Sequence, residues 1–281
     1  MIVRTAPAKV NLSLRVLRRR EDGFHEIATR MAPLTLADGV KMEQIHGAAD
    51  GTVAFTCNDP TIPGDDTNLA VKAVRALEKL AGPLPAVRIH LEKRIPHGAG
   101  LGGGSSDAAA VLLGMDELFS LSLPVSRLAE AAAGVGSDVP FFLHGCVCDC
   151  TGRGELVTPV PDFSWHPRIL LVKPPFGVAT PDAYRRWGTS REVPGLPYAE
   201  QQTPGGILMN DLERAVFEKI PVLGTLKACL LECEGVTAAL MSGSGSTVFA
   251  VLEPSVNSAG IIDAVQREAG TELWCCDTAV R

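Results

Sequence analysis

The chain of 281 residues is long enough for about two domains with a cleft between them. Its 26 Lys and Arg against 32 Asp and Glu give a net charge of -6, which argues against a nucleic-acid partner held by counterion release; the one basic run, Arg18-Arg19-Arg20, is followed at once by Glu21-Asp22. Composition is globular, with 46% hydrophobic and 21% charged residues, and no apolar run approaches the ~18 residues that span a bilayer, so a cytoplasmic protein without a membrane partner is expected.

In chain order, residues 9–16 alternate Val10, Leu12, Leu14 and Val16 against Asn11, Ser13 and Arg15, the period of a strand, and Asp22-Gly23 then supplies turn chemistry. From Thr67, read as an N-cap, Ala70, Val74, Leu77 and Leu80 recur at helical spacing until Gly82-Pro83. Val87, Ile89 and Leu91 form a strand that runs into a glycine-rich loop, and Val111, Leu112, Met115, Leu118 and Phe119 make one face of the helix beyond it. A short helix over 126–133 precedes Gly136-Ser137-Asp138-Val139-Pro140, where Pro140 is expected to hold Val139 extended. Residues 151–167 are rich in Gly and Pro and hold the expected domain boundary, giving units 1–157 and 158–281. The second half reads as a strand (169–172), a proline-rich loop, helices (208–218 and 222–233), two strands (237–241 and 247–252), a helix (255–269) and a last strand (272–276). That order predicts an α+β fold with helices on one face of an antiparallel sheet. Cys146, Cys148 and Cys150 alternate on one strand with no CxxC partner, and these three, like Cys229, Cys233, Cys275 and Cys276, read as small buried hydrophobes rather than zinc ligands.

The segment richest in chemistry is Pro96-His97-Gly98-Ala99-Gly100-Leu101-Gly102-Gly103-Gly104-Ser105-Ser106. Five glycines in seven positions bring backbone N–H groups close to an anion, and the helix that follows adds unpaired amides and the positive end of its dipole. This is a phosphate cradle. It is not a Walker A loop, because Gly-Lys occurs nowhere in the chain, and the G-x-G-x-x-G spacing of Gly98, Gly100 and Gly103 lacks an acid at the end of a second strand, Glu117 falling on a helix. Ser105 and Ser106 stand where a phosphate or Mg2+ can be bonded. A second glycine stretch, Ser242-Gly243-Ser244-Gly245-Ser246, joins two apolar strands and reads equally as a hairpin turn or as a second wall of the same site. Lys9 and Asn11 share one face of the first strand.

Pro-Ala-Lys-Val-Asn-Leu at 7–12, the glycine loop at 96–106, Gly-Ser-Asp-Val-Pro at 136–140 and Met-Ser-Gly-Ser-Gly-Ser at 241–246 together resemble the GHMP kinase superfamily, with all its motifs in order. Asp22-Gly23-Phe24-His25 and Asn210-Asp211-Leu212-Glu213 resemble the branch that acts on a cytidine-diphosphate sugar alcohol. The resemblance implies a two-domain fold, with a ribosomal-protein-S5-like amino-terminal domain and a ferredoxin-like carboxy-terminal one, and both substrates in the cleft between them. It implies ATP with Mg2+ on residues 96–106, Ser105 and Ser106 near the β- and γ-phosphates, and Asn68 and Lys93 nearer the nucleoside. It further implies Lys9 and Asp138 as the catalytic pair, Asn11 orienting the acceptor, Phe24 and Tyr184 on the two faces of the cytosine with His25 at its edge, and Thr180 beside them. Phe24 departs from the family, many of whose members carry Tyr there, so the ring is kept and a hydroxyl lost. The competing readings are another small-molecule kinase of the superfamily, of the homoserine or mevalonate type, and a non-catalytic S5-like RNA-binding module; the acidic charge and the lack of an aromatic-basic stripe oppose the latter.

Overall fold

A computed structural model describes residues 1–281. The chain opens with two long antiparallel strands, β1 (Ile2–Arg19) and β2 (His25–Gln44). Their connection closes where the Arg20 amide donates to the Phe24 carbonyl and the Phe24 amide donates to the Asp22 carboxylate. β1 is not a regular strand. Its pairing slips between Pro7 and Lys9, between Asn11 and Ser13 and between Val16 and Arg18, and such bulges re-aim side chains. Val10 and Leu12 thereby enter one core and Leu14 and Val16 another.

β3 (Val53–Cys57), α1 (Leu69–Ala81) and β4 (Val87–Glu92) follow, β3 and β4 being parallel. The first turn of α1 is capped by Asn68, whose side chain accepts from the Ala70 amide. Thr67, the expected cap, instead donates its hydroxyl to Asp65, because the Asp65 carboxylate lies two residues upstream and collects both the Thr67 amide and its hydroxyl. α2 (Gly103–Leu118) and α3 (Val125–Val135) complete the first helical layer, whose core joins Ala70, Val74 and Leu77 to Ile89, Leu91, Val111 and Met115. Val139 is not extended. It takes αR angles (φ -63, ψ -43) and starts a 3-10 turn, Pro140–Leu143, whose Phe141 and Phe142 are buried in the same core; burial of two rings outweighs the steric preference that a following proline imposes.

The hairpin β5 (Cys148–Thr151) and β6 (Leu156–Pro159) adds to β2, so the first sheet continues to Pro159. Only Cys148 and Cys150 of the cysteine row lie on the strand; both are fully buried, Cys146 precedes it, and burial pushes the Cys150 thiol up to about 12.

The second sheet holds β7 (Arg168–Lys173), β10 (Val236–Met241), β11 (Val248–Leu252) and β12 (Trp274–Ala279), all antiparallel, in the order β10-β11-β7-β12. With helices between β7 and β10 and α7 (Ser258–Ala269) between β11 and β12, this is the βαββαβ arrangement of a ferredoxin-like domain. Both faces are buried: Leu170, Val172, Val248 and Ala250 meet helices, whereas Ile169, Leu171, Phe249 and Val251 meet Val10, Leu12 and Leu34 of the first sheet. Two-sided burial accounts for the continuous apolar runs of these strands.

Between the sheets the chain departs from expectation twice. The proline-rich loop contains α4 (Thr180–Trp187), which Pro181 starts by fixing φ in the first turn. The helix expected over 208–218 is divided: β8 (Gln201–Thr203) and β9 (Gly206–Asn210) form a hairpin, β9 running parallel to β1, and only then does α5 (Leu212–Lys219) begin, followed by α6 (Pro221–Glu232). No helix is long and apolar enough to cross a membrane.

Candidate active site

A cleft of about 980 Å³ is lined by the glycine loop, β1, the start of β2, the turn after α3, the β1–β2 turn, α4 and Gly243-Ser244. The glycine loop owes its shape to alternation. Ala99 and Leu101 are buried in the inter-sheet core, while Gly98, Gly100 and Gly102 take left-handed φ of 63, 75 and 70 between them. The anchoring is mutual: the Leu101 carbonyl accepts from the Lys9 amide (2.9 Å) and the Ala99 carbonyl from the Thr247 amide (3.2 Å). At Gly100 the approach of the second glycine loop excludes any side chain, because a Cβ would overlap the Ser242 carbonyl oxygen. The Ser242 hydroxyl donates to the Gly100 carbonyl, so the second loop is a wall of the cleft as well as a turn. Asn210 fixes that wall by donating to the carbonyls of Met241 (2.7 Å) and Gly243 (2.8 Å).

Gly102, at the N-cap of α2, has no side chain to cap the helix, which leaves the first-turn amides of Gly103, Gly104 and Ser105 free to meet an anion in the cleft. Pro96, His97, Gly104 and Ser105 line the cleft, but Ser106 does not: it is 1% exposed and its hydroxyl is buried, one position too far round the helix to face the opening. Asn68 lines the cleft with its side chain already committed to the Ala70 amide and the Pro63 carbonyl.

Lys9, only 4% exposed, reaches the cleft from β1, and its ammonium lies 2.7 Å from Asn11 Oδ1 and 3.5 Å from Asp138 Oδ2. Asn11 donates onward to the Thr29 hydroxyl (2.8 Å), which donates to the Ser13 carbonyl. Its amide is thus engaged at both ends while the residue lines the cleft. Asp138 enters from the turn after α3 with its side chain a third exposed. Lys9 and Asn11 thus meet Asp138, more than a hundred residues away in sequence.

At the far end the cleft is lined by Phe24, His25, Thr180 and Tyr184. Phe24 is 52% exposed on the β1–β2 turn. Tyr184 lines the same end from α4. It stacks on His25, with ring centroids 5.4 Å apart and 29° between planes, and Trp187 closes the edge of the imidazole. Burial, with Arg19 nearby, lowers the His25 pKa, which favours the neutral ring. Thr180 shares a hydrogen bond with Ser244 (2.8 Å) and ties α4 to the second glycine loop.

The GHMP kinases N terminal domain matches residues 68–146, and the GHMP kinases C terminal domain matches residues 200–271. A 4-diphosphocytidyl-2-C-methyl-D-erythritol kinase from a Synechococcus species is 38% identical over 96% of this chain and 91% of its own. This chain is a GHMP kinase. A relative of the same name from Methylacidiphilum infernorum is 40% identical over 88% of this chain and 84% of its own. A crystal structure of 4-(cytidine 5'-diphospho)-2C-methyl-D-erythritol kinase superposes with a TM-score of 0.78 at 34% identity, covering all of both chains. Homoserine kinase from Cytophaga hutchinsonii, at 20% identity and a TM-score of 0.71 over 99% of this chain and 93% of its own, shares the fold.

In this GHMP kinase one constellation escaped the sequence. Lys93 is nearly buried beside the cradle, its ammonium bonded to Asp38 and, at 2.7 Å, to Asp107. Asp38 also accepts from the amides of Arg94 and Ile95 and so shapes the entry to the glycine loop. Burial raises Asp107 to about 7, Asp38 adding to the shift and Lys93 opposing it. Nothing in the local sequence marks Asp38, one of three acids in β2, and Asp107 is visible only as the residue after Ser105-Ser106. No group of three or more His, Cys, Asp or Glu is arranged to hold a metal ion.

Proposed function

We propose that this GHMP kinase transfers the γ-phosphoryl group of ATP to the 2-hydroxyl of 4-diphosphocytidyl-2-C-methyl-D-erythritol, the step named by its relatives, and that it does so in the cytoplasm, where its eight free cysteines stay reduced. The observation that carries the reading is the Lys9–Asp138 pair at 3.5 Å, set between a phosphate cradle and an aromatic end within one cleft. The amides of Gly103, Gly104 and Ser105 hold the phosphates. Mg2+ has no dedicated cage of side chains and fits as a partner of the nucleotide phosphates, with the Ser105 hydroxyl at hand; bound there it neutralises charge on the phosphoryl being moved. The acceptor oxygen bonds to the γ-phosphorus as the bond to ADP breaks. Asp138 receives the hydroxyl proton, and Lys9 stabilises the negative charge that develops between them.

At the aromatic end a neutral His25 presents a donor and an acceptor to the cytosine edge, with the rings of Phe24 and Tyr184 beside it. Each partner is then a small molecule. Membership of a kinase family sets aside the RNA-binding reading. ADP release measured with 4-diphosphocytidyl-2-C-methyl-D-erythritol, homoserine and mevalonate tests the assignment: turnover of the first alone is expected, and turnover of either other acceptor in its place overturns it.

A further inference from the structure

The turn between β5 and β6 touches both ends of the acceptor site. It is pinned to β2 by the Ile27 amide, which donates to the Gly152 carbonyl (2.8 Å). Its Gly154, at φ 112, lies so close to the catalytic turn that a Cβ there would sit 3.6 Å from Asp138 Oδ1. Between these two glycines Arg153 lines the cleft and lays its guanidinium over the Phe24 ring, 4.9 Å from the centroid. Its Nε is 3.4 Å from Glu155, and neither of its terminal nitrogens has a protein acceptor.

The other cations lining the cleft are differently placed. Lys9 is engaged with Asn11 and Asp138, Lys93 with Asp38 and Asp107, and Arg185 with Asp182 on the outer rim; Arg19, the last residue of β1, has no carboxylate partner and lies near His25, at the cytosine end. On the reading given above, the acceptor places its cytosine by Phe24, His25 and Tyr184 and its hydroxyl by Asp138. Its diphosphate must then cross the stretch between them. That stretch is where the free fork of Arg153 stands.

We propose that Arg153 binds the diphosphate of a nucleoside-diphosphate-linked acceptor and, through its contact with Phe24, ties that grip to the cytosine platform. A planar fork with two free nitrogens suits paired phosphate oxygens, and stacking on the ring holds it in position before substrate arrives. The assignment rests on the proposed acceptor, and it makes Arg153 a determinant of specificity rather than of the transfer step.

The test is steady-state kinetics of Arg153→Met and Arg153→Lys, together with calorimetric titration of CDP and of cytidine. Arg153→Met is expected to raise KM for 4-diphosphocytidyl-2-C-methyl-D-erythritol about 10- to 100-fold, the worth of a hydrogen-bonded charge, with kcat within threefold and KM for ATP unchanged. The preference of the wild type for CDP over cytidine should shrink by a similar factor, and Arg153→Lys should recover part of it. If Arg153→Met is unstable, Arg153→Gln, which keeps a donor for Glu155 and loses the charge, carries the same comparison. A wild type active on this acceptor, with a variant whose KM stays within twofold and whose CDP preference is intact, overturns the role of Arg153. A wild type that neither turns over this acceptor nor binds CDP overturns the acceptor itself, and the role of Arg153 with it.

Discussion

The ammonium of Lys9 is fixed by Asn11 from its own strand and faces Asp138 from across the cleft, so the pair can act either as a structural tie or as a chemical unit. The two roles predict opposite outcomes for Asp138→Asn. As a proton acceptor, Asp138 lost should cost ~10²- to 10⁴-fold in kcat with acceptor binding largely kept, whereas a tie would show itself in the melting temperature. The Lys9→Ala/Asp138→Asn double variant should lose about as much as either single one, because groups acting together are not additive; additive losses would count against the unit. Tyr184→Ala removes a ring that touches both His25 and the cleft, and is expected to raise KM for the cytidine acceptor about 5- to 150-fold without changing that for ATP. Asp107 gives a dependence on pH. Unfolded, it titrates near 3.8; folded, at about 7. Between those values the folded protein holds a proton that the unfolded chain has lost, so its contribution is fully present below about 4, falls as pH rises and is gone above 7. Urea unfolding at pH 5 to 8 should show this slope, and Asp107→Asn should flatten it.

The start of α2 separates two glycines that look alike in the sequence. A Cβ on Gly103 would press on Ile95 Cγ2 at 3.0 Å and on the Lys93 ammonium at 3.3 Å, whereas one on Gly104 meets only Leu69 Cδ1 at 3.6 Å and faces the cleft. Gly104→Val should therefore weaken ATP binding at nearly unchanged melting temperature, and Gly103→Val should lower both; calorimetry and thermal unfolding of the two variants distinguish them. Elements with a strong local signal were legible: β4, the glycine loop and α2 follow from period and composition, as do the strands of the second sheet. The β8–β9 hairpin was not, because its strands are three and five residues long and its place is set by pairing with β1, some two hundred residues away. The same holds for Val139, whose conformation is decided by where Phe141 and Phe142 must go. Of the candidate site, the place of the glycine loop and the Lys9–Asp138 contact accord with the family resemblance that the motifs carry, while the exclusion of Ser106 from the cleft, the stacking of Tyr184 on His25 and the Asp38–Lys93–Asp107 cluster exist only in three dimensions.

For the whole molecule, the core between the sheets joins Val10, Leu12 and Leu34 to Ile169, Phe249 and Val251 and lies beneath the glycine loop through Ala99 and Leu101. A shared core couples the halves, so differential scanning calorimetry should give a single transition, moved upward by ATP or by the cytidine acceptor as each binds the folded form; two resolved transitions would contradict it. The path of the chain has a bearing on how its parts can be exchanged. It leaves the first sheet after β6, lays down β7, returns to place β8 and β9 beside β1, and only then completes the second sheet. The stretch shared with other GHMP kinases at the carboxy-terminal end, residues 200–271, thus begins on a hairpin that belongs to the opposite sheet. A stretch that matches one domain is thus folded as part of two sheets. Exchanging that module between relatives would replace the strand that covers the edge of β1 near Ser13 along with Asn210, the residue that steadies the second glycine loop, so a chimera must match its host at β1 before it can match it at the acceptor.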